Sequence, residues 1–180
     1  NLPAIVEEFA KAIRKELCFL AEASHMERFA ANFQNEDGIY IPRYYAKLSS
    51  RKVLTMEFID GVNLADKEKV EGLGGNTVEL AAKGADLVLK QIFEHGFFHA
   101  DPHAGNILLL ENQVFCFLDF GMMGSLSTSL REKLTTLLIA VSESNAIKVS
   151  RTLIHISQND FVDASMLEPQ VSELLDIYAH

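Results

Sequence analysis

The stretch His99-Ala100-Asp101-Pro102-His103-Ala104-Gly105-Asn106 constrains this chain most, because Asp119-Phe120-Gly121 follows it after twelve residues. Between the two lie short apolar runs, Ile107–Leu110 and Val114–Leu118, around Glu111-Asn112-Gln113, which predicts a hairpin. Ahead of them, Thr77 to His95 is helical in pattern. Leu80, Ala81, Gly84, Leu87, Val88 and Ile92 form its buried face, and Gly96 is placed to cap its C-terminus. Helix, polar loop and hairpin in that order carry two carboxylates and an amide towards one place.

The remaining pattern is read around that centre. Pro3 to Phe33 predicts one long helix, with Ile5, Phe9, Ile13, Leu17, Leu20, Met26, Phe29 and Phe33 at helical spacing. Ile39–Leu48 and Val53–Ile59 predict two strands joined by a hairpin turn over Ser49–Lys52. Asp60-Gly61 ends the second, and a polar stretch runs to Asn76. From Ser127 the pattern is helical, with breaks near Ser144 and Asn159–Phe161. This order predicts an α+β fold rather than a βαβ alternation. The 180 residues suit one domain or most of one, and a start at Asn1 reads as a piece of a longer protein.

Composition removes some partners. The formal net charge is −9, without a Lys/Arg cluster, which argues against a nucleic-acid backbone. No apolar run reaches the roughly 18–20 residues that span a bilayer. Cys18 and Cys116 are too far apart for a C-x-x-C signature and read as small apolar residues.

The H-x-D-x-x-x-x-N spacing followed by D-F-G is that of protein-kinase catalytic loops. Phosphoryl transfer needs charge neutralised and groups held in line. On that pattern Asp119 is a hard oxygen ligand for magnesium and Asn106 a second, neutral one. Asp101 orients the attacking hydroxyl or water, or accepts its proton. His99 holds the loop by hydrogen bonding. A rival reading takes His95, His99, Asp101 and His103 as a zinc cluster, but it leaves Asn106 and Asp119-Phe120-Gly121 unexplained.

Val53-Leu54-Thr55-Met56-Glu57-Phe58-Ile59 then looks like a kinase hinge. By that resemblance Met56 sits behind the adenine, and the backbones of Glu57 and Ile59 bond its edge. Glu22, on the first helix, is the candidate carboxylate for the ATP-binding lysine.

The stretches E-L-x-x-x-x-E-A from Glu16, V-L-T-M-E-F-I-D-G from Val53, F-H-A-D-P-H-x-G-N from Phe98 and L-D-F-G-M from Leu118 together resemble the UbiB/AarF family of atypical kinases, over about Glu16 to Gly124. The resemblance implies a protein-kinase-like fold, with residues 1–59 as a partial N-lobe and hinge and 60–180 as a largely helical C-lobe of one domain. It implies ATP and Mg2+ as cofactors and ATPase or phosphotransferase activity. It also implies a role in ubiquinone or related prenyl-quinone biosynthesis, membrane-associated in a bacterium, mitochondrion or plastid, with lipid or quinone-pathway proteins as partners. Cys18 stands where the family has the Asp of its E-x-D pattern, and Ala104 where it has a proline. The family's K-x-G-Q segment and ATP-binding lysine are absent, and Lys11 and Lys15 do not replace them, so the fragment alone is expected to be inactive. No A-P-E follows the D-F-G, which disfavours a protein substrate. A nucleotide-binding scaffold and a small-molecule phosphotransferase are the alternatives.

Overall fold

A computed structural model describes residues 6–7, 18–73, 76–157 and 163–178. The residues group into two compact units, Asn1–Ser125 and Leu126–His180.

In the first unit, helix α1 (Phe19–Asn32) buries Ala23, Met26 and Phe29, with Phe33 just beyond its end. Steps of three and four residues place these side chains on one face. The expected long helix is interrupted at Cys18, whose φ of −115° and ψ of 88° are not helical. There the N–H of Phe19 bonds the carbonyl of Arg51 at 3.2 Å instead of continuing a helical ladder. The stretch 8–17, which includes Glu16, lies outside the described residues.

A four-stranded sheet packs on α1, in the order β1 (Ile39–Tyr40), β5 (Phe115–Phe117), β4 (Ile107–Leu109), β2 (Val62–Asn63). β1 runs parallel to β5, and the other pairs are antiparallel. The predicted β4–β5 hairpin is present. Its turn holds Asn112 and Gln113 at φ 57° and 58°. All three residues of β5 are buried, as a central strand requires.

The predicted hairpin over 39–59 is not a regular pair of strands. Only Ile39–Tyr40 joins the sheet. The rest is an irregular ribbon with bridges Tyr44–Met56 and Ser50–Val53 and a 3-10 turn over Ala46–Leu48. Pro42 offers no N–H to a ladder, and the Ser49 hydroxyl accepts the Thr55 N–H at 2.9 Å in place of a backbone carbonyl. The stretch read as polar loop contains β2 and helix α2 (Lys67–Gly72), capped by the Asp66 side chain.

Helix α3 (Thr77–Leu89) starts at an Asn76 cap and passes into a π-helical turn, Lys90–His95. Gly96 ends it at φ 59°, the left-handed conformation that glycine takes readily. Ala81, expected on its buried face, is exposed. β3 (Phe97–His99) then pairs antiparallel with β6 (Met123–Ser125), a ribbon the sequence did not announce.

In the second unit, Ser127 caps α4 (Thr128–Ser142) through its hydroxyl, at the point where the helical pattern begins. Ser144, at φ 49°, marks the predicted break before α5 (Ala146–Ser157). α6 (Ala164–Tyr178) follows, and Ala140, Val149, Val171 and Leu175 form the core of this unit. The predicted break at Asn159–Phe161 lies outside the described residues. No described helix is long and apolar enough to cross a membrane.

Candidate active site

The site is built on His99, at the end of β3. Its N–H donates to the buried Gln91 side chain at 2.9 Å, which ties it to the π-helical turn. The ring Nδ1 accepts the N–H of Asp101 at 3.1 Å, and Nε2 lies 2.7 Å from the carbonyl of Asp119. A carbonyl only accepts and an amide N–H only donates, so the ring is the neutral Nε2–H tautomer. One imidazole therefore joins the start of the loop to the D-F-G strand end, and with both nitrogens engaged it is a strut rather than a base.

Asn106 arrives by a different route. His103 caps a 3-10 turn, Ala104–Asn106, by accepting the Gly105 N–H on Nδ1 at 2.8 Å. The Asn63 amide holds the Gly105 carbonyl at 2.8 Å, and the Leu118 N–H holds the Asn106 carbonyl at 2.9 Å. The Asn106 Nδ2 then donates to Asp119 Oδ2 at 3.1 Å, while Asp119 Oδ1 accepts the Gly121 N–H at 2.8 Å.

Phe120, fully buried, points the other way. Its ring packs against Phe29 with centroids 5.4 Å apart. Its N–H donates to Glu22 Oε1 at 3.2 Å, and its carbonyl lies 2.8 Å from His25 Nδ1. Burial raises the Glu22 carboxyl above its usual range, against the lowering effect of the Phe120 N–H. The Asp119 charge adds to the rise and His25 opposes it.

Glu22, Asp101 and Asp119 line one cavity of about 330 Å³ together with His99. Among the described residues no Lys or Arg forms an ion pair with these carboxylates. Within it, the oxygens of Asp119 and of its neighbour Asn106 suit a hard divalent cation that also takes phosphate oxygens. Asp119 and Asn106 would supply two oxygens and leave the remaining positions to phosphates and water. A larger cavity, about 620 Å³, lies between Asp37 and the α3–π-turn side, and its carboxylates, Asp37, Asp86 and Glu94, share it with the ammonium groups of Lys83 and Lys90.

The hinge residues do not line the carboxylate cavity. Met56 packs against the core, Ile59 is half-buried, and the Glu57 N–H is committed to the Arg43 carbonyl at 2.7 Å. That leaves the Glu57 carbonyl as the group of this residue that could meet a nucleotide edge. The Glu57 carboxylate accepts Tyr40 Oη–H at 2.8 Å and the Arg43 N–H at 3.2 Å. The zinc alternative fails on its ligands. The rings of His99 and His103 are engaged, His95 packs on Phe33, and the described residues contain no group of three or more His, Cys, Asp or Glu able to hold a metal. Cys116 is buried, with its thiol pushed up to about 12 by burial, and it behaves as a small apolar residue.

Two positioning residues were missed. Gln91 continues the stripe of buried Leu80 and Leu87 and half-buried Gly84 at helical spacing, and a polar residue in such a stripe is a signal. His25 stands one turn after Glu22 on α1, a spacing that puts both on one face.

Helix, irregular ribbon, second long helix, catalytic-type loop, sheet hairpin and D-F-G in this order define a protein-kinase-like fold. The structure of Rv3197 from Mycobacterium tuberculosis, solved with erythromycin, superposes with a TM-score of 0.76 at 23% identity, over 99% of this chain and 45% of that one. Residues 1–153 match the ABC1 atypical kinase-like domain, and the chain belongs to that family, ABC1/UbiB. An uncharacterized protein of Synechocystis sp. is 35% identical over 96% of this chain and 30% of its own length. Protein ACTIVITY OF BC1 COMPLEX KINASE 7, chloroplastic, of Arabidopsis thaliana is 36% identical over 84% of this chain and 22% of its own length. The chain thus spans less than a third of these relatives.

Proposed function

We propose that this chain carries the magnesium–ATP site of an ATP-dependent phosphotransferase or ATPase. The observation that carries the reading is that Asp101 and Asp119 line one cavity, with Asn106 donating to Asp119 and His99 bonded to both Asp101 and Asp119. Asp119 and Asn106 hold the metal, which when bound neutralises the phosphates. Asp101, exposed at the mouth, orients the acceptor hydroxyl or water and takes its proton. Glu22 is the candidate carboxylate for a lysine ammonium, and the Met56–Ile59 stretch is the candidate adenine wall and edge.

The acceptor is a small molecule, a lipid or water rather than a peptide. Directly after Gly121 the chain enters β6, and α4 begins at Thr128, so few residues are left for a peptide-docking segment. The chloroplastic and cyanobacterial relatives support a bacterial or plastid setting, and the family resemblance extends the proposal to prenyl-quinone metabolism at a membrane. In the full-length protein, Asp101→Ala should lower ATP turnover by roughly 10²–10⁴-fold and leave nucleotide affinity unchanged. An Asp101→Ala change that lowers turnover and leaves cellular function unharmed would instead favour a nucleotide-binding scaffold.

A further inference from the structure

The backbone of the D-F-G is held from two sides, and the bonds fall on successive peptide units. In the unit joining Asp119 to Phe120, the carbonyl faces His99 Nε2 at 2.7 Å and the N–H faces Glu22 Oε1 at 3.2 Å. In the next, joining Phe120 to Gly121, the N–H donates to Asp119 Oδ1 at 2.8 Å and the carbonyl faces His25 Nδ1 at 2.8 Å. A carbonyl can only accept, so Nδ1 of His25 carries the hydrogen. The second unit is the vulnerable one. It ends in a glycine, and glycine tolerates either orientation of the preceding peptide at little steric cost. If it turns over, Asp119 loses the N–H that fixes its carboxylate. His25 is the side chain that opposes this turn. Its ring is set by packing on Phe97, centroids 5.9 Å apart, and Phe97 is covered in turn by the Arg28 guanidinium at 4.0 Å.

We propose that His25 is a positioning residue: by holding the Phe120 carbonyl it keeps the Gly121 N–H on Asp119 and so orients the metal-binding carboxylate from α1. The inference rests on the magnesium–ATP reading of the site. It gives α1 a second hold on the D-F-G one turn from Glu22, so a shift of this helix would reach the metal ligand directly.

The test uses the full-length protein, with ATP affinity measured by calorimetry with and without Mg2+, beside thermal denaturation. His25→Phe keeps the ring on Phe97 and removes the donor. His25→Asn places an amide Nδ2 where Nδ1 stood. We expect His25→Phe to weaken Mg2+-dependent ATP binding roughly ten-fold, the scale of one lost hydrogen bond, with metal-free ATP affinity unchanged. His25→Asn should bind within about two-fold of the parent. An unchanged Mg2+ dependence in folded His25→Phe overturns the proposal, as does an equal loss with and without metal. Where His25→Phe does not fold, a ten-fold loss in folded His25→Asn overturns it. Asp119→Asn, measured alongside, separates the two levels. If it leaves Mg2+-dependent binding intact, the site reading itself is wrong. If it abolishes binding while His25→Phe does nothing, only the role of His25 falls.

Discussion

Asn106 faces Asp119 because a three-residue turn carries it there, and Gly105 sets the tightness of that turn. A Cβ at Gly105 would lie 2.4 Å from the His103 ring, whose Nδ1 holds the Gly105 N–H. Gly105→Ala should therefore displace the His103 ring, loosen the turn and weaken Mg2+-dependent ATP binding several-fold, with little change in melting temperature; calorimetry and denaturation read the two effects separately. At the other end of the chain's candidate nucleotide site, the Arg43 N–H and the Tyr40 hydroxyl lower the Glu57 carboxyl, with a small opposing effect of burial. A lowered carboxylate contributes stability above its unfolded value and loses it as pH falls through the folded one. Tyr40→Phe should move the Glu57 titration up towards the ordinary range, as carboxyl NMR would record. Asp101, Asn106 and Asp119 were legible because their spacing is a residue-type pattern. Gln91 and His25 were not, because each acts on a backbone atom, and backbone atoms leave no mark in the partner's identity.

Among the elements, α1 ties the D-F-G to the core. Phe29, fully buried, lies within 6.5 Å, centroid to centroid, of Phe33, Phe97, Phe117 and Phe120. Phe29→Ala should cost about 3–5 kcal/mol by the cavity it opens, measurable by denaturant unfolding. It should also loosen Phe120 in its seat. The elements with a strong local signal were readable. α3 has a periodic face and a glycine cap, β4 and β5 are apolar runs about a turn, and α4 follows the helical pattern from Ser127. β2, β3 and β6 were not readable, because strands of two or three residues exist through pairing partners distant in sequence. The 39–59 ribbon was over-read as two strands because β-branched and aromatic residues signal extension but say nothing of a ladder broken at Pro42 and Ser49.

For the whole molecule, the α+β class, the kinase-like order of parts and the family were all legible from four short motifs, since loop, hairpin and D-F-G must follow one another for the carboxylates to meet. On the proposed function, Asp119, steadied by Asn106, His99 and the backbone of Gly121, holds magnesium for ATP. Calorimetry of ATP binding to the full-length protein, with and without Mg2+, beside Asp119→Asn, tests it most directly. The parent should bind ATP in a Mg2+-dependent way, and Asp119→Asn should lose that binding. Binding of equal strength in the two, or no binding by the folded parent, would contradict it.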